Sequence, residues 1–427
     1  MIALVVAAAL LLQPAPGRSE TIVGIQVHGN TVTTDDEVQR AAAIQVGDPL
    51  EADTLEKVSA RLRAAKRFQS VQVLKRFASI DDPTQILLVI VVDDGPVRIE
   101  RTGDPDQPTR VVRSHGSPLM FLPVLSFEDG YGFTYGARFA WPEPVGKQSR
   151  VSFPLTWGGE KRAAAELEKN LEGGPLDRVE VGVSASRRTN PFYDVDDGRV
   201  RLWARGERDI VRWVRAGATV GWQRVTFPGV AAPGVAAPGA AAPGTAASGD
   251  RFAHAGADVV FDARADPILP RNAVYARIAV EHIAGANRMD LDARGYVGLI
   301  GQAILAVRAQ RSDADRALPP YLKPLLGGMS NLRGFRTGTA AGDALVATSA
   351  ELIVPLTSPL SFGRIGVNGF TDAGTAYDHG QRLSDQTWRQ GIGGGVWFSA
   401  AFVRLNVDVA HGRGASTRVH LGANVSF

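Results

Sequence analysis

The sequence contains no cysteine among its 427 residues. This absence excludes disulfide bonds, thiolate metal sites and a lipid-anchored N-terminal cysteine. From residue 18 onward the chain also lacks a continuous apolar run of the ~20 residues that a membrane-spanning helix needs. The formal net charge of only +3 gives no reason to expect a nucleic-acid partner.

Sequence motifs typical of enzymes are scarce as well. No Gly-x-Ser-x-Gly elbow occurs, and the nearest stretch, Gly328 to Leu332, has leucine at its last position. The seven histidines form neither an i, i+4 pair nor a metal-like cluster. Gly391 to Gly395 is rich in glycine but opens a predicted strand rather than a helix, which does not favour phosphate binding. We therefore predict a non-enzymatic protein without metal or cofactor, with serine-dependent lipase activity as a minor alternative.

The N-terminal residues predict export followed by a small folded domain. Residues 1–12 are apolar and the small and proline residues of 13–17 follow, which is typical of a signal peptide over residues 1–17; an N-terminal strand is the alternative. Residues 21–95 predict the order β-α-α-β-β, with a first helix capped by Thr33 or Thr34. A generic α+β domain has the same order. The prolines and glycine of residues 96–118 indicate a linker.

From residue 119 to residue 427, apolar and polar side chains alternate with the period of a β-strand. We count sixteen candidate strands, an even number, as in bacterial outer-membrane barrels. A soluble sandwich shows the same alternation. The chain, however, ends on Phe427 at the close of its last strand, and sixteen strands suffice to close a wide ring. The pattern predicts an all-β transmembrane barrel of sixteen antiparallel strands over residues 119–427.

Two stretches interrupt this pattern. Residues 228–249 contain a five-residue Pro-Gly repeat that cannot pack a core, and the strand count places it in the fourth outer loop. The stretch from Leu325 to Gly338 has four glycines in fourteen residues and lies between strands eleven and twelve. A loop of about thirty residues within a tight strand array is expected to be functional or disordered. Its Arg-Gly-Phe core argues against disorder.

Three motifs in this region resemble those of the superfamily that joins POTRA domains to an outer-membrane barrel, typified by BamA and TamA and also called the bacterial surface antigen family. The residues, given in chain order, are Leu332-Arg333-Gly334-Phe335, Glu351 and Phe370-Thr371-Asp372-Ala373-Gly374. The first departs mildly from the family, which has valine or isoleucine where this chain has Leu332. The resemblance covers roughly residues 21–427.

This resemblance implies a single POTRA domain (21–95) in the periplasm and a barrel in the cell outer membrane. It implies a function in inserting or translocating other proteins, with the POTRA domain receiving extended client segments at a sheet edge. The expected partners are outer-membrane lipid and unfolded client proteins. Family members with more POTRA domains use periplasmic accessory proteins, and one POTRA domain puts such partners in doubt here. A passive pore, a structural surface antigen and a lipid-moving barrel are the alternatives.

Strand parity predicts a contact inside the barrel. Asp372 shares a strand face with Phe370, and Glu351 lies opposite a row of apolar neighbours, so both carboxylates are predicted to point into the lumen. Arg333, on a loop long enough to fold inward, is their natural partner, because a guanidinium can fork its donors to a carboxylate. We hypothesise that this set latches the loop in the lumen. The alternative is a lumen-lining Arg333 without a specific partner.

The two ends of the barrel predict a weak junction. Pro123 lies in the middle of the first predicted strand and cannot donate a ladder hydrogen bond, and Gly422 lies near the centre of the last strand. A barrel that inserts clients needs a junction that opens sideways, so that a client strand can add to the exposed edge. The alternative is that Pro123 merely precedes a strand starting near Val124.

Overall fold

The computed structural model describes residues 20–30, 33–51, 53–68, 70–78, 82, 84–94, 97–100, 110–113, 120–171, 173–228, 248–264, 269–360, 363–400 and 403–425. The predicted signal peptide, most of the Pro-Gly repeat and the terminal Phe427 lie outside these ranges. Within them, no helix combines the length and the apolar character needed to cross a membrane.

The N-terminal unit has the predicted β-α-α-β-β order. Its elements are β1 (Thr21–His28), α1 (Asp35–Ala42), α2 (Thr54–Ala64), β2 (Ser70–Phe77) and β3 (Gln85–Asp93). Thr34 caps α1: its side chain accepts the Glu37 N–H and its own N–H donates to the Glu37 carboxylate. In the sheet, β3 lies between β1, which is parallel to it, and β2, which is antiparallel. Apolar residues of both helices and of the sheet form one buried core.

The segment predicted as a linker contains a small sheet. Its strands are β4 (Val97–Glu100) and β5 (Arg110–Arg113), which pair antiparallel. Val97 and Ile99 in β4 and Val111 and Val112 in β5 have branched side chains, which favour extended backbone.

Sixteen antiparallel strands form a closed barrel. The first eleven are β6 (Met120–Glu128), β7 (Gly132–Pro142), β8 (Ser149–Gly158), β9 (Lys161–Asn170), β10 (Arg178–Asn190), β11 (Val195–Val211), β12 (Val214–Phe227), β13 (Ser248–Asp262), β14 (Ala273–Ile283), β15 (Ala286–Gly298) and β16 (Ile304–Ala314). A loop with the short pair β17 (Leu325–Leu326) and β18 (Ala340–Ala341) follows. The last five are β19 (Ala344–Leu360), β20 (Gly363–Tyr377), β21 (Arg389–Ala400), β22 (Val403–Gly412) and β23 (Thr417–Val425). The predicted fold class is confirmed.

The barrel exposes apolar side chains on its outer face and buries polar side chains inside, which is the reverse of a soluble sandwich. On β22, Val407 and Val409 are 40% and 49% exposed, whereas Asp408 between them is 0% exposed. Ile278 and Val280 on β14 are likewise exposed, on the outer face of the ring. An apolar exterior with a polar interior is the arrangement of an outer-membrane barrel.

Residues 315–343, here called the sixth outer loop, enter the barrel. At the base of the loop, Leu318, Tyr321 and Leu322 pack against Phe227 of β12 and Ile283 of β14. The Tyr321 hydroxyl donates to Asp250 at 2.6 Å, and burial together with this bond raises the pKa of Tyr321. Further along, Leu332 is completely buried. The loop therefore packs against the barrel strands at its base and continues into the lumen.

Candidate functional site

Arg333 occupies the centre of the lumen site and is only 7% exposed. Its backbone N–H donates to Asp372 Oδ2 at 2.9 Å, and its Nε donates to the same oxygen at 2.8 Å. Its Nη2 donates to Asp372 Oδ1 at 2.9 Å. The Asp372 carboxylate thus accepts hydrogen bonds from both the side chain and the main chain of Arg333.

Two further carboxylates complete the surroundings of the guanidinium. Nη1 of Arg333 lies 2.8 Å from Glu351 Oε2 and 3.2 Å from Asp408 Oδ2. The side-chain amide of Asn368 donates to Glu351 and to Asp408, at 3.1 Å each. One buried cation is therefore shared by three strands, β19, β20 and β22, which compensates the cost of burying it.

The strand motif on β20 shapes the site around Arg333. Phe370 places its ring centroid 3.3 Å from the Arg333 Cζ, a cation–π contact. Asp372, two residues on, supplies the carboxylate. A side chain at Gly374, two residues further, would lie 2.9 Å from Leu326 of the loop, so glycine leaves room for it. The three positions share the lumen face because side chains alternate along a strand.

A row of glycines on β21 forms a trough for the same group of residues. A Cβ at Gly391 would lie 1.9 Å from the Arg333 carbonyl oxygen, and one at Gly393 would lie 2.7 Å from the Phe370 ring. A Cβ at Gly395 would lie 2.1 Å from the Asp408 carboxylate. Glycines at i, i+2 and i+4 therefore clear one face of the strand. The sequence alone gives no sign of this role, because the loop residues that fill the trough are far away along the chain.

The other residues of the loop motif fix its tip. Gly334 has φ +91°, and a Cβ there would lie 2.7 Å from the Gly412 nitrogen, so no other residue fits. Leu332 and Phe335 pack with Leu326, Leu345 and Ala347 in a buried cluster. The tip is held by apolar packing as well as by charge.

The first and last barrel strands meet at a junction, here called the seam, which is barely paired. Among the described residues, a single backbone pairing, Ala423↔Phe127, joins β23 to β6. By contrast, β22 and β23 pair from Val403↔Val425 to His411↔Thr417. Pro123 lies inside β6, opposite Ala137 of β7, so the strand does not start near Val124. At Gly422 an added Cβ would lie 3.0 Å from Met329 of the loop.

A lumen cavity of about 470 Å³ lies beside the site and reaches the seam. Arg333, Glu351 and Asp372 contribute to its lining, as do Phe127 and Leu421 from the two seam strands. Leu421 follows the buried His420 and is itself 42% exposed, so it belongs to the outer face of β23. The cavity therefore extends from the lumen to the seam.

Sequence reasoning missed several residues of this site. Asp408 shares its strand face with Asn406 and could have been found by parity, but no motif surrounds it. His420 and Asp129 carry no sequence signal, because their bond joins positions 291 residues apart. Among the described residues, no group of three or more histidine, aspartate or glutamate side chains is arranged to hold a metal ion.

Comparisons with known proteins agree with this geometry. Residues 243–423 match the model of the Omp85 superfamily domain, and residues 20–95 match the POTRA model, described as a surface antigen variable number repeat. A curated relative, cell division protein FtsQ of Streptomyces collinus, is 27% identical over 226 residues, which span 48% of this chain and 75% of that protein.

Two solved structures share the fold. BamA from Haemophilus ducreyi lacking POTRA domains 1–3 matches with a TM-score of 0.61 and 14% identity, over 96% of this chain and 85% of that chain. CdiB from Escherichia coli matches with a TM-score of 0.50 and 14% identity, over 97% and 93%. The chain belongs to the Omp85 superfamily, as a sixteen-stranded barrel of the outer membrane with a POTRA domain on its periplasmic side.

Proposed function

We propose that this protein inserts or translocates client proteins at the outer membrane, using the seam as a lateral exit and the sixth outer loop as a latch in the lumen. This role is one of assembly or transport and needs no catalytic residue. The observation that carries the proposal is the seam, where Ala423↔Phe127 is the single backbone pairing within the part of the chain that the structure describes.

The register of the seam leaves a strand edge available. Because the strands are antiparallel and Ala423 faces Phe127, Val425 at the end of β23 comes opposite Leu125. Leu125 and Ser126 lie in register with Val425 and Asn424 of β23, and in the described part of the chain these positions are not backbone-paired. An unpaired edge offers backbone donors and acceptors to an added strand. Pro123 removes one donor, which weakens closure of this edge further.

The latch disfavours a passive pore. Arg333 is bound by Asp372, Glu351 and Asp408, and Leu332 and Phe335 are packed beside it. A loop fixed in this way occupies the lumen that a porin leaves open for water. The arrangement suits a barrel that opens at its side when the loop moves.

The POTRA domain supplies a place for clients on the periplasmic side. Its sheet has β1 and β2 at its edges, and strands at an edge can accept an extended segment through main-chain hydrogen bonds. Recognition of this kind depends on backbone more than on side chains, which suits unfolded clients of varied sequence.

A reversible crosslink at the seam tests the proposal. In this cysteine-free protein, Phe127→Cys with Ala423→Cys joins the two seam strands, since these residues are backbone partners. A matched control, Val407→Cys with Leu421→Cys, joins β22 to β23, which are already paired. Both proteins are reconstituted into liposomes and supplied with an unfolded barrel client.

We expect the seam crosslink to abolish client insertion and reduction to restore it, with the control unaffected in both states. Full insertion through a crosslinked seam would show that the seam is not the exit. The same liposomes, loaded with a fluorescent lipid, report whether lipid rather than protein crosses at this site.

A further inference from the structure

We infer that His420 and Asp129 are positioning residues that join the sixth outer loop to the seam, so that loop release and seam opening are one event. This inference rests on the proposed function, because it assigns a cause to the lateral opening. It concerns residues outside the latch around Arg333.

His420 makes two different bonds from one imidazole ring. Its Nδ1 lies 2.5 Å from Asp129 Oδ2, across the seam from β23 to the turn after β6. Its Nε2 lies 2.9 Å from the Gly334 nitrogen, which can only donate. Nε2 therefore carries the lone pair and Nδ1 carries the proton, which it donates to Asp129. The ring is 2% exposed, so lost partners are not replaced readily by water.

The loop also contacts both sides of the seam directly. The Thr337 hydroxyl donates to the Asp129 carbonyl oxygen at 2.8 Å. A Cβ at Gly130 would lie 2.5 Å from the Thr337 side chain, so glycine permits this approach. On the other side, Met329 lies against Gly422 of β23. These loop contacts therefore link the two seam strands at their outer end.

The bonds of His420 couple the two movements. If the loop leaves, the Nε2 acceptor of a buried imidazole is left unpaired, and Asp129 loses both the Thr337 hydroxyl and a fixed histidine. If the seam opens, Asp129 withdraws from Nδ1 and the ring is free to turn away from Gly334. Release of the loop therefore weakens the bond across the seam, and opening of the seam weakens the bond to the loop.

Two substitutions of His420 each remove one of its two bonds, and so test whether the bond to the loop and the bond across the seam depend on each other. His420→Asn keeps a donor near the Nδ1 position but has no atom at the Nε2 position. His420→Gln reaches the Nε2 position but leaves no donor at Nδ1. Asp129→Asn is a third variant, and His411→Gln is the control, because His411 bonds to Thr417 on the neighbouring strand.

Spin-label distances measure both movements without a client. Leu125→Cys with Val419→Cys spans the seam at exposed outer positions. Ser330→Cys with Val396→Cys spans the distance from an exposed residue of the loop to the barrel wall. Heat-modifiable migration on a gel shows which variants contain a folded barrel, and distances are compared among those.

We expect His420→Asn, His420→Gln and Asp129→Asn each to raise the open-to-closed ratio of both pairs by about tenfold, the order of effect expected for one lost hydrogen bond. The control should leave both pairs unchanged. The inference is overturned if His420→Asn moves the loop alone and His420→Gln moves the seam alone, or if neither pair responds. Coupled distances with no client insertion would instead contradict the proposed function and leave the coupling standing.

Discussion

Arg333 on the sixth outer loop and Asp372 on β20 are joined by three hydrogen bonds, at 2.9, 2.8 and 2.9 Å, that use the main chain and both arms of the guanidinium fork. Such a pair fixes the orientation of the loop as well as its position, because a planar fork meets a planar carboxylate. Ser349 donates to the same carboxylate at 2.7 Å and holds it in place. The contact between the loop and β20 is therefore specified geometrically from both partners.

Arg333→Ala should release the loop without unfolding the barrel, since the three carboxylates left behind can be hydrated in a lumen that already contains a cavity. We expect proteinase K to cleave the loop at least about tenfold faster, because cleavage requires local opening. Arg333→Lys should not rescue, because an ammonium lacks the fork. Arg336→Ala, at an exposed arginine of the same loop, is the control. Equal cleavage rates for Arg333→Ala and the control would argue against a latch.

The three carboxylates should differ in importance. Asp372 accepts three bonds from Arg333, whereas Asp408 accepts one at 3.2 Å. At about 1.5–3 kcal/mol for a hydrogen bond to a charged group, Asp372→Asn should weaken loop docking by about 2 kcal/mol or more. Asp408→Asn should have a smaller effect, because two carboxylates remain beside the guanidinium. Loop docking is measured by the spin-label pair at Ser330 and Val396, and the reverse order of effects would contradict this ranking.

Gly391→Ala should displace the loop through sterics alone. The added Cβ would lie 1.9 Å from the Arg333 carbonyl oxygen, and backbone cannot move aside as a flexible side chain can. The matched control is Gly369→Ala on β20, where an added Cβ meets nothing within 4 Å. We expect slower client insertion and faster loop cleavage for the first variant, with values like the unsubstituted protein for the second. A normal loop in Gly391→Ala would show that the trough is not needed.

Deleting residues 230–246 should leave barrel stability unchanged. The Pro-Gly repeat has little apolar side-chain surface to bury, and the flanking strands already pair up to Phe227↔Ser248. Phe227 is buried against Ile283 and Tyr321, so the deletion must stop short of it. The measurement is the temperature at which heat-modifiable migration is lost. A lower temperature for the deleted protein would mean that the repeat packs against the barrel.

Local patterns in the sequence were enough for the architecture. The alternation around Val407, Asp408 and Val409 has the period of a strand whatever surrounds it, and the Thr34–Glu37 capping box acts within one helical turn. Parity alone placed Glu351 and Asp372 on the lumen face. The loop motif, recognised by resemblance, pointed to Arg333 as their partner.

The rest of the site was decided by barrel closure. Thr337 meets Asp129 across 208 positions of sequence and His420 meets Asp129 across 291, so no window of the chain contains either pair. The role of the β21 glycines is visible only in the folded barrel, where Arg333, Phe370 and Asp408 occupy the space that they leave. Strand alternation is a property of backbone geometry and is visible locally, whereas contacts across the lumen depend on the register of sixteen strands and on where the ring closes.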